Sequence, residues 1–288
     1  MRVEAAKSRE VPLRCGPIFA LMLFVLVLLV PARSVAADCA TGPAAAATAN
    51  AASLDAIAWS PFRRPETGWV IYGPQIAATI ATSCPPGSPG FAAALARWQA
   101  GQHLPATGIV DAPGFAAMNA RWTANRPFVA ATRGGACPPP PDTTQLATAT
   151  PKESYAGKTI QLRADTLMAW RRLVAAARRD LPDLKADPRW LTIFSGFRAP
   201  IDDDVRCMID NNCQGVARAT CSAHRTGLAI DAFVGVTPGF GPDSTADANR
   251  RFMSQTPAYR WLVLHAREYG FANYVFEPWH WEWRAPAA

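Results

Sequence analysis

The chain is poor in charge, poor in histidine and nearly free of long apolar runs, and each shortage excludes something. Only 18% of its 288 residues are charged while half are apolar, a balance that excludes a long disordered protein and fits a globular one. Its lysines and arginines form no clustered stretch, so nucleic acid is not an expected partner. Beyond residue 37 no apolar run reaches the roughly 20 residues a helix needs to cross a bilayer. A regular βαβ rhythm is also missing, which argues against a parallel sheet and for an α+β fold. Closely paired cysteines, the mark of a structural zinc site, are absent as well. With only four histidines (His103, His224, His265 and His280), a metal or acid–base site has few places to be.

What is present begins with an export signal over residues 1–37. Arg2, Lys7, Arg9 and Arg14 precede the apolar run 18–30, and small residues follow, ending Val35-Ala36-Ala37. The run is too short for a comfortable span, so cleavage is expected over anchoring. Removal takes away five basic and two acidic residues, lowering the formal charge from +7 by 3 to +4, which leaves a mildly basic protein suited to an anionic cell wall. Cys15 leaves with the signal. The remaining six cysteines form an even set, expected as up to three disulfides in an oxidising compartment, periplasmic or cell-wall associated. Their pairing is open; Cys84 with Cys137 and one bridge among Cys207, Cys213 and Cys221 are first guesses.

Residues 38–60, rich in alanine and without an amphipathic pattern, read as a low-complexity linker. Residues 61–130 read as a small helical module, with Phe91, Leu95 and Trp98 at helical spacing and Phe115 and Met118 in a second helix. Residues 131–151 contain Gly134-Gly135 and the proline run 138–141, a stiff spacer expected to hold two folded parts apart. In residues 152–288 the pattern predicts a helix over 165–179, short strands over 190–194 and 228–234, a helix over 259–269 stopped by Gly270, and a last strand over 274–284. Pro278 should interrupt that last ladder near its start. Trp279, Trp281 and Trp283 fall on one of its faces, His280 and Glu282 on the other.

A catalytic metal takes three protein ligands of histidine and carboxylate type and keeps a fourth position for water. His224, Asp231 and His280 supply that set, with Gly227 bending the chain between the first two. Asp231 sits inside an apolar strand, a poor place for a carboxylate unless something binds it. Glu277 stands three residues before His280, where a carboxylate can serve as general base and then general acid. Arg198 suits an oxyanion partner, or else a salt bridge with Asp202 or Asp203. Ser222 either binds substrate or caps a turn, and Trp279 either walls the substrate site or packs in the core. His265 reads as an ordinary helix residue. A rival structural zinc site built from Cys221, His224 and two further cysteines leaves Asp231, Glu277 and His280 unexplained.

Two resemblances follow from these motifs. Phe91, Leu95, Gln99, Leu104, Pro105, Thr107, Gly108, Val110, Asp111 and Met118 resemble the peptidoglycan-binding helical repeat, although the same residues also make a tight interhelix turn. SxHxxGxAxD over residues 222–231, ExWH over 277–280 and SGFR over 195–198 resemble the VanY-type zinc D-alanyl-D-alanine carboxypeptidases, related to VanX dipeptidases and endolysin peptidases. That resemblance implies an α+β catalytic domain and one Zn2+ held by His224, Asp231 and His280. Glu277 is then the base, Arg198 the cation at the scissile carbonyl, and peptidoglycan stem peptides the substrate. A carboxypeptidase releasing terminal D-Ala, an endopeptidase cutting inside the stem or crossbridge and a non-catalytic wall binder all stay open. The acidic, cysteine-containing stretch after Arg198 departs from the family pattern and puts substrate selectivity in doubt.

Overall fold

Alanine is the strongest helix former, and the stretch expected as a linker is in fact helical: α1 spans Ala44–Ser53. Ala46 and Ala47 pack on Ala92, a contact that only small side chains allow. Asn50, fully buried, latches this helix to a turn distant in sequence by donating to the Gly108 carbonyl (2.8 Å) and accepting from the Val110 amide (2.9 Å). The computed structural model describes residues 38–209, 211, 213 and 221–284; the expected export signal at 1–37 lies outside the described residues.

A short antiparallel pair, β1 (Ala58–Trp59) and β2 (Glu66–Thr67), follows, then α2 (Gly73–Thr79), α3 (Pro89–Gly101), α4 (Ala112–Ala124) and α5 (Pro127–Ala131). Ser88 and Asp111 cap α3 and α4, accepting from the amides of Phe91 and Gly114, and each helix carries Pro in its first turn. Between them, Gln99 binds the Gly108 amide (2.8 Å) and the Ile109 carbonyl (3.1 Å). The motif residues Gln99, Gly108 and Asp111 therefore build the interhelix turn. Trp69, Tyr72, Phe91, Phe115 and Met118 fill the core of this half.

The second half opens with the antiparallel pair β3 (Leu146–Thr148) and β4 (Gln161–Arg163). Then come α6 (Ala164–Asp180), α7 (Asp183–Ala186), β5 (Ile193–Ser195), α8 (Pro200–Ile209), β6 (Ala229–Ala232), α9 (Asp247–Gln255), α10 (Pro257–His265), β7 (Phe271–Asn273) and β8 (His280–Trp283). Strands β5, β6, β8 and β7 form, in that order, one antiparallel sheet, and the fold is α+β as expected. The strands are shorter than their apolar patterns predict. Gly270, at φ +86°, ends the helix before β7 as expected, but Pro278 leads β8 instead of interrupting it.

Alternation along β6 and β8 divides the sheet into two faces. Ile230, Ala232, Trp281 and Trp283 join the core under α6 and α10, against Leu167, Trp170, Tyr259 and Leu262. Ala229, Asp231, His280 and Glu282 take the opposite face, where Asp231 stands across from His280 and Ala229 across from Glu282.

The proline run does not hold two bodies apart. The described residues make one compact unit. Arg250 of α9, fully buried, pairs with Glu66 (3.1 Å) and donates to the Tyr72 hydroxyl (2.6 Å) of the helical half. Gln75 donates to Asn273 (3.1 Å), and Val275 enters the helical core. Three disulfides join Cys39 to Cys84, Cys137 to Cys221 and Cys207 to Cys213. The guess of Cys84 with Cys137 is thus corrected, while one bridge does fall within the last three cysteines. No helix among the described residues is long and apolar enough to cross a membrane.

Candidate metal centre

His224 rides on a single 3-10 turn, Ala223–Thr226, placed just before β6. Ser222 caps that turn, its hydroxyl accepting from the His224 amide at 3.2 Å, so the capping alternative describes what this side chain does here. Gly227 closes the turn at φ +67°, a left-handed conformation that lets the chain double back into the strand. The His224 ring is fixed by its Nδ1, which donates to the Gly196 carbonyl at 2.8 Å and leaves Nε2 facing Asp231. Gly196 itself lies tight against β4, where a Cβ would meet the Gln161 carbonyl oxygen at 2.5 Å, so only glycine fits there.

The register of β6 and β8 brings Asp231 and His280 side by side. Asp231 Oδ2 lies 3.2 Å from His224 Nε2, and its Oδ1 lies 2.9 Å from His280 Nδ1. All three residues are buried, and one ligand atom from each falls within 4.8 Å of the others. This buried group could hold a metal ion. Two nitrogens and a carboxylate oxygen, with a ring orientation already fixed for His224, are a donor set suited to a divalent transition metal. The rival cysteine site is excluded, since all six cysteines of the described chain are in disulfides.

Burial opposes the charge on Asp231, but the two histidines outweigh it and hold the carboxyl well below the usual carboxylate range. Burial likewise opposes a charged His280. Hydrogen bonds to Asp231 and Glu282 prevail and push it up to about 9.

Glu277 lies in the turns between β7 and β8. Its amide donates to the Tyr274 carbonyl (2.8 Å), and its carbonyl accepts from the His280 amide (2.9 Å) and from the Asn273 side chain (3.2 Å). The half-buried Glu277 carboxyl is raised above its ordinary value by burial, with the Asp231 charge adding and His280 opposing. It therefore sits in the electrostatic field of the His–Asp–His group without belonging to it.

Arg198 follows β5 and is tied to the His224 turn by a backbone bond of 3.3 Å to the His224 carbonyl. Its guanidinium contacts Asp203 (3.4 Å) and the Ser195 hydroxyl (3.3 Å). Burial pushes the Asp203 carboxyl up, with Arg198 opposing. The salt bridge weighed for Arg198 is thus present, to Asp203. Trp279 is 3% exposed and belongs to the core, which corrects its assignment as a substrate wall. His265 is a surface helix residue bonded to Glu268.

Two contributors were missed in the sequence. Asn273 pins the Glu277 turn by donating to the carbonyls of Glu277 and His280, and accepts from Gln75 and Tyr259. Glu282 faces His280 Nε2 at 3.3 Å and is bound by Arg126 and the Phe128 amide. The two-residue step from His280 to Glu282 signals a shared strand face; no local signal points to Arg126. Searched against known proteins, the chain matches no family model and no curated protein, so the geometry of the site is what speaks for its chemistry.

Proposed function

We propose that the protein is an exported zinc peptidase of the VanY type that cleaves peptidoglycan stem peptides, releasing the terminal D-Ala. The observation behind this reading is the buried His224–Asp231–His280 group with the uncoordinated carboxylate of Glu277 beside it. A structural metal has no use for such a carboxylate, whereas hydrolysis needs one. Bound zinc would lower the pKa of water and polarise the scissile carbonyl.

The chain's own residues supply the rest. Glu277, raised by burial, accepts a proton from the attacking water and returns it to the leaving amine. Arg198, held by Asp203 and Ser195, offers a cation to the oxyanion as it forms. Gly196 fixes the His224 imidazole through its Nδ1, and Ser222 holds the turn that presents it. The disulfides are compatible with an exported protein.

The test is a zinc-loaded incubation of the oxidised protein with a pentapeptide stem and mass detection of products. Release of one D-Ala is expected. Cleavage at an internal bond would make it an endopeptidase, and an intact peptide would leave a wall binder.

A further inference from the structure

We infer that Glu282 and Arg126 form a positioning relay that sets the tautomer of His280, so the helical half takes part in metal binding. The inference rests on the metal-site reading proposed above. A ligand that coordinates through Nδ1 must carry its proton on Nε2, since a neutral imidazole has one of each. In His280, Nδ1 is the nitrogen turned toward Asp231, at 2.9 Å from Oδ1. Nε2 is turned toward Glu282 Oε1, at 3.3 Å. An acceptor there favours the proton on Nε2 and leaves Nδ1 free for a metal.

Glu282 can serve only if its charge is kept in place. Its side chain is 2% exposed, and a buried carboxylate without partners would neutralise or move. Three donors prevent this. Arg126 binds Oε1 through Nε at 2.8 Å and through Nη2, and the Phe128 amide binds Oε2 at 2.9 Å. Arg126 is itself oriented by the Tyr274 ring, 4.1 Å from its guanidinium carbon, and Tyr274 stands edge-on to His280. All three donors come from the segment at the start of α5, more than 150 residues away in sequence. The order of contacts is thus helical half, Arg126, Glu282, His280, metal.

Carboxylates that orient a metal-bound histidine typically affect metal affinity by about 10- to 100-fold. Glu282→Gln should weaken zinc binding, measured by chelator competition on the full oxidised chain, by a factor in that range. Arg126→Ala should weaken it in the same direction by less, and should have no further effect in the Glu282→Gln background, because it acts through that carboxylate. Equal affinities for wild type and both folded single variants would overturn the relay, as would additive losses in the double variant. The wild-type protein supplies a readout that needs no variant. Nitrogen-15 shifts of labelled histidine, with four rings to assign, should place the proton of zinc-loaded His280 on Nε2; a proton on Nδ1 would overturn the inference. Should the wild-type chain bind no zinc while His280 keeps its contact with Glu282 in the same spectra, the metal reading fails, and with it the relay's role in metal binding.

Discussion

The two halves of the molecule differ in how their sequence relates to what they do. In the sheet half the metal candidates lie within short motifs, and the strand register brings Asp231 and His280 together. The helical half contributes no ligand, yet its Arg126, Glu66, Tyr72 and Gln75 meet buried partners on the other side. A half that looks like an accessory module is thus structurally part of the site. Motif content alone does not mark the limits of a folding unit.

The strongest way to break this comparison is to separate the halves. Residues 142–288 alone would leave Arg250, whose side chain is 0% exposed, without Glu66, and Glu282 without Arg126. Stranding one partner of a buried pair costs about 3–5 kcal/mol, and two such losses approach the whole stability of a typical domain, about 5–15 kcal/mol. Circular dichroism should show the fragment unfolded. A fragment with cooperative melting and retained zinc would restore the picture of two independent domains.

Within the sheet half, His224→Ala or His280→Ala should abolish tight zinc binding, because two remaining ligands are too few. Metal analysis after gel filtration reads this directly; full occupancy in either variant would place the ligands elsewhere. A smaller effect is expected at the covalent tie between halves. Cys137 joins Cys221, one residue before the Ser222 cap and 84 residues away in sequence. The Cys137→Ser, Cys221→Ser double variant should lose about 2–4 kcal/mol in urea denaturation. Because Cys221 adjoins the His224 turn, zinc affinity should fall with it, whereas the same change at Cys39 and Cys84 should spare the metal. Equal effects on metal from both pairs would argue against a local role.

The smallest effect concerns an ion pair inside the sheet half. Arg171 and, less strongly, the Thr150 amide and hydroxyl lower the Glu153 carboxyl to about 2, against a partial burial that opposes them. Its folded pKa is depressed, so its stabilisation is present above about 4.5 and disappears as pH falls toward about 2. The pair is partly exposed, and Glu153→Gln should therefore cost less than about 1 kcal/mol at pH 7, a cost that shrinks toward nothing as pH falls below about 2. A pH-independent difference between variant and wild type would show that charge is not what Glu153 contributes.

Much of the sheet half is legible in the sequence because candidate metal ligands and a strand with alternating faces leave local patterns. His224, Gly227, Asp231 and His280 stand out on that ground. The α1 helix is illegible for the opposite reason: an alanine run has no amphipathic contrast, and its packing depends on Ala92 and on the Asn50 latch. Arg126 and Glu282 lie 156 residues apart, and Arg250 and Glu66 lie 184 apart, so neither pair leaves a local mark. Cysteine pairing is hidden likewise, because sequence counts cysteines without placing them. Trp279 follows the period of the other two tryptophans but precedes β8, and burial decides its role.

The measurement that tests the proposed chemistry most directly is zinc content, melting temperature and stem-peptide hydrolysis on one preparation of Glu277→Gln. The amide keeps the shape of the side chain and removes its basicity. General acid–base catalysis is worth about 10²- to 10⁴-fold in rate, so kcat should fall by that order with KM little changed, zinc retained and melting unaltered. A folded, zinc-loaded Glu277→Gln protein that hydrolyses the peptide at the wild-type rate would contradict the assignment of Glu277 as the base.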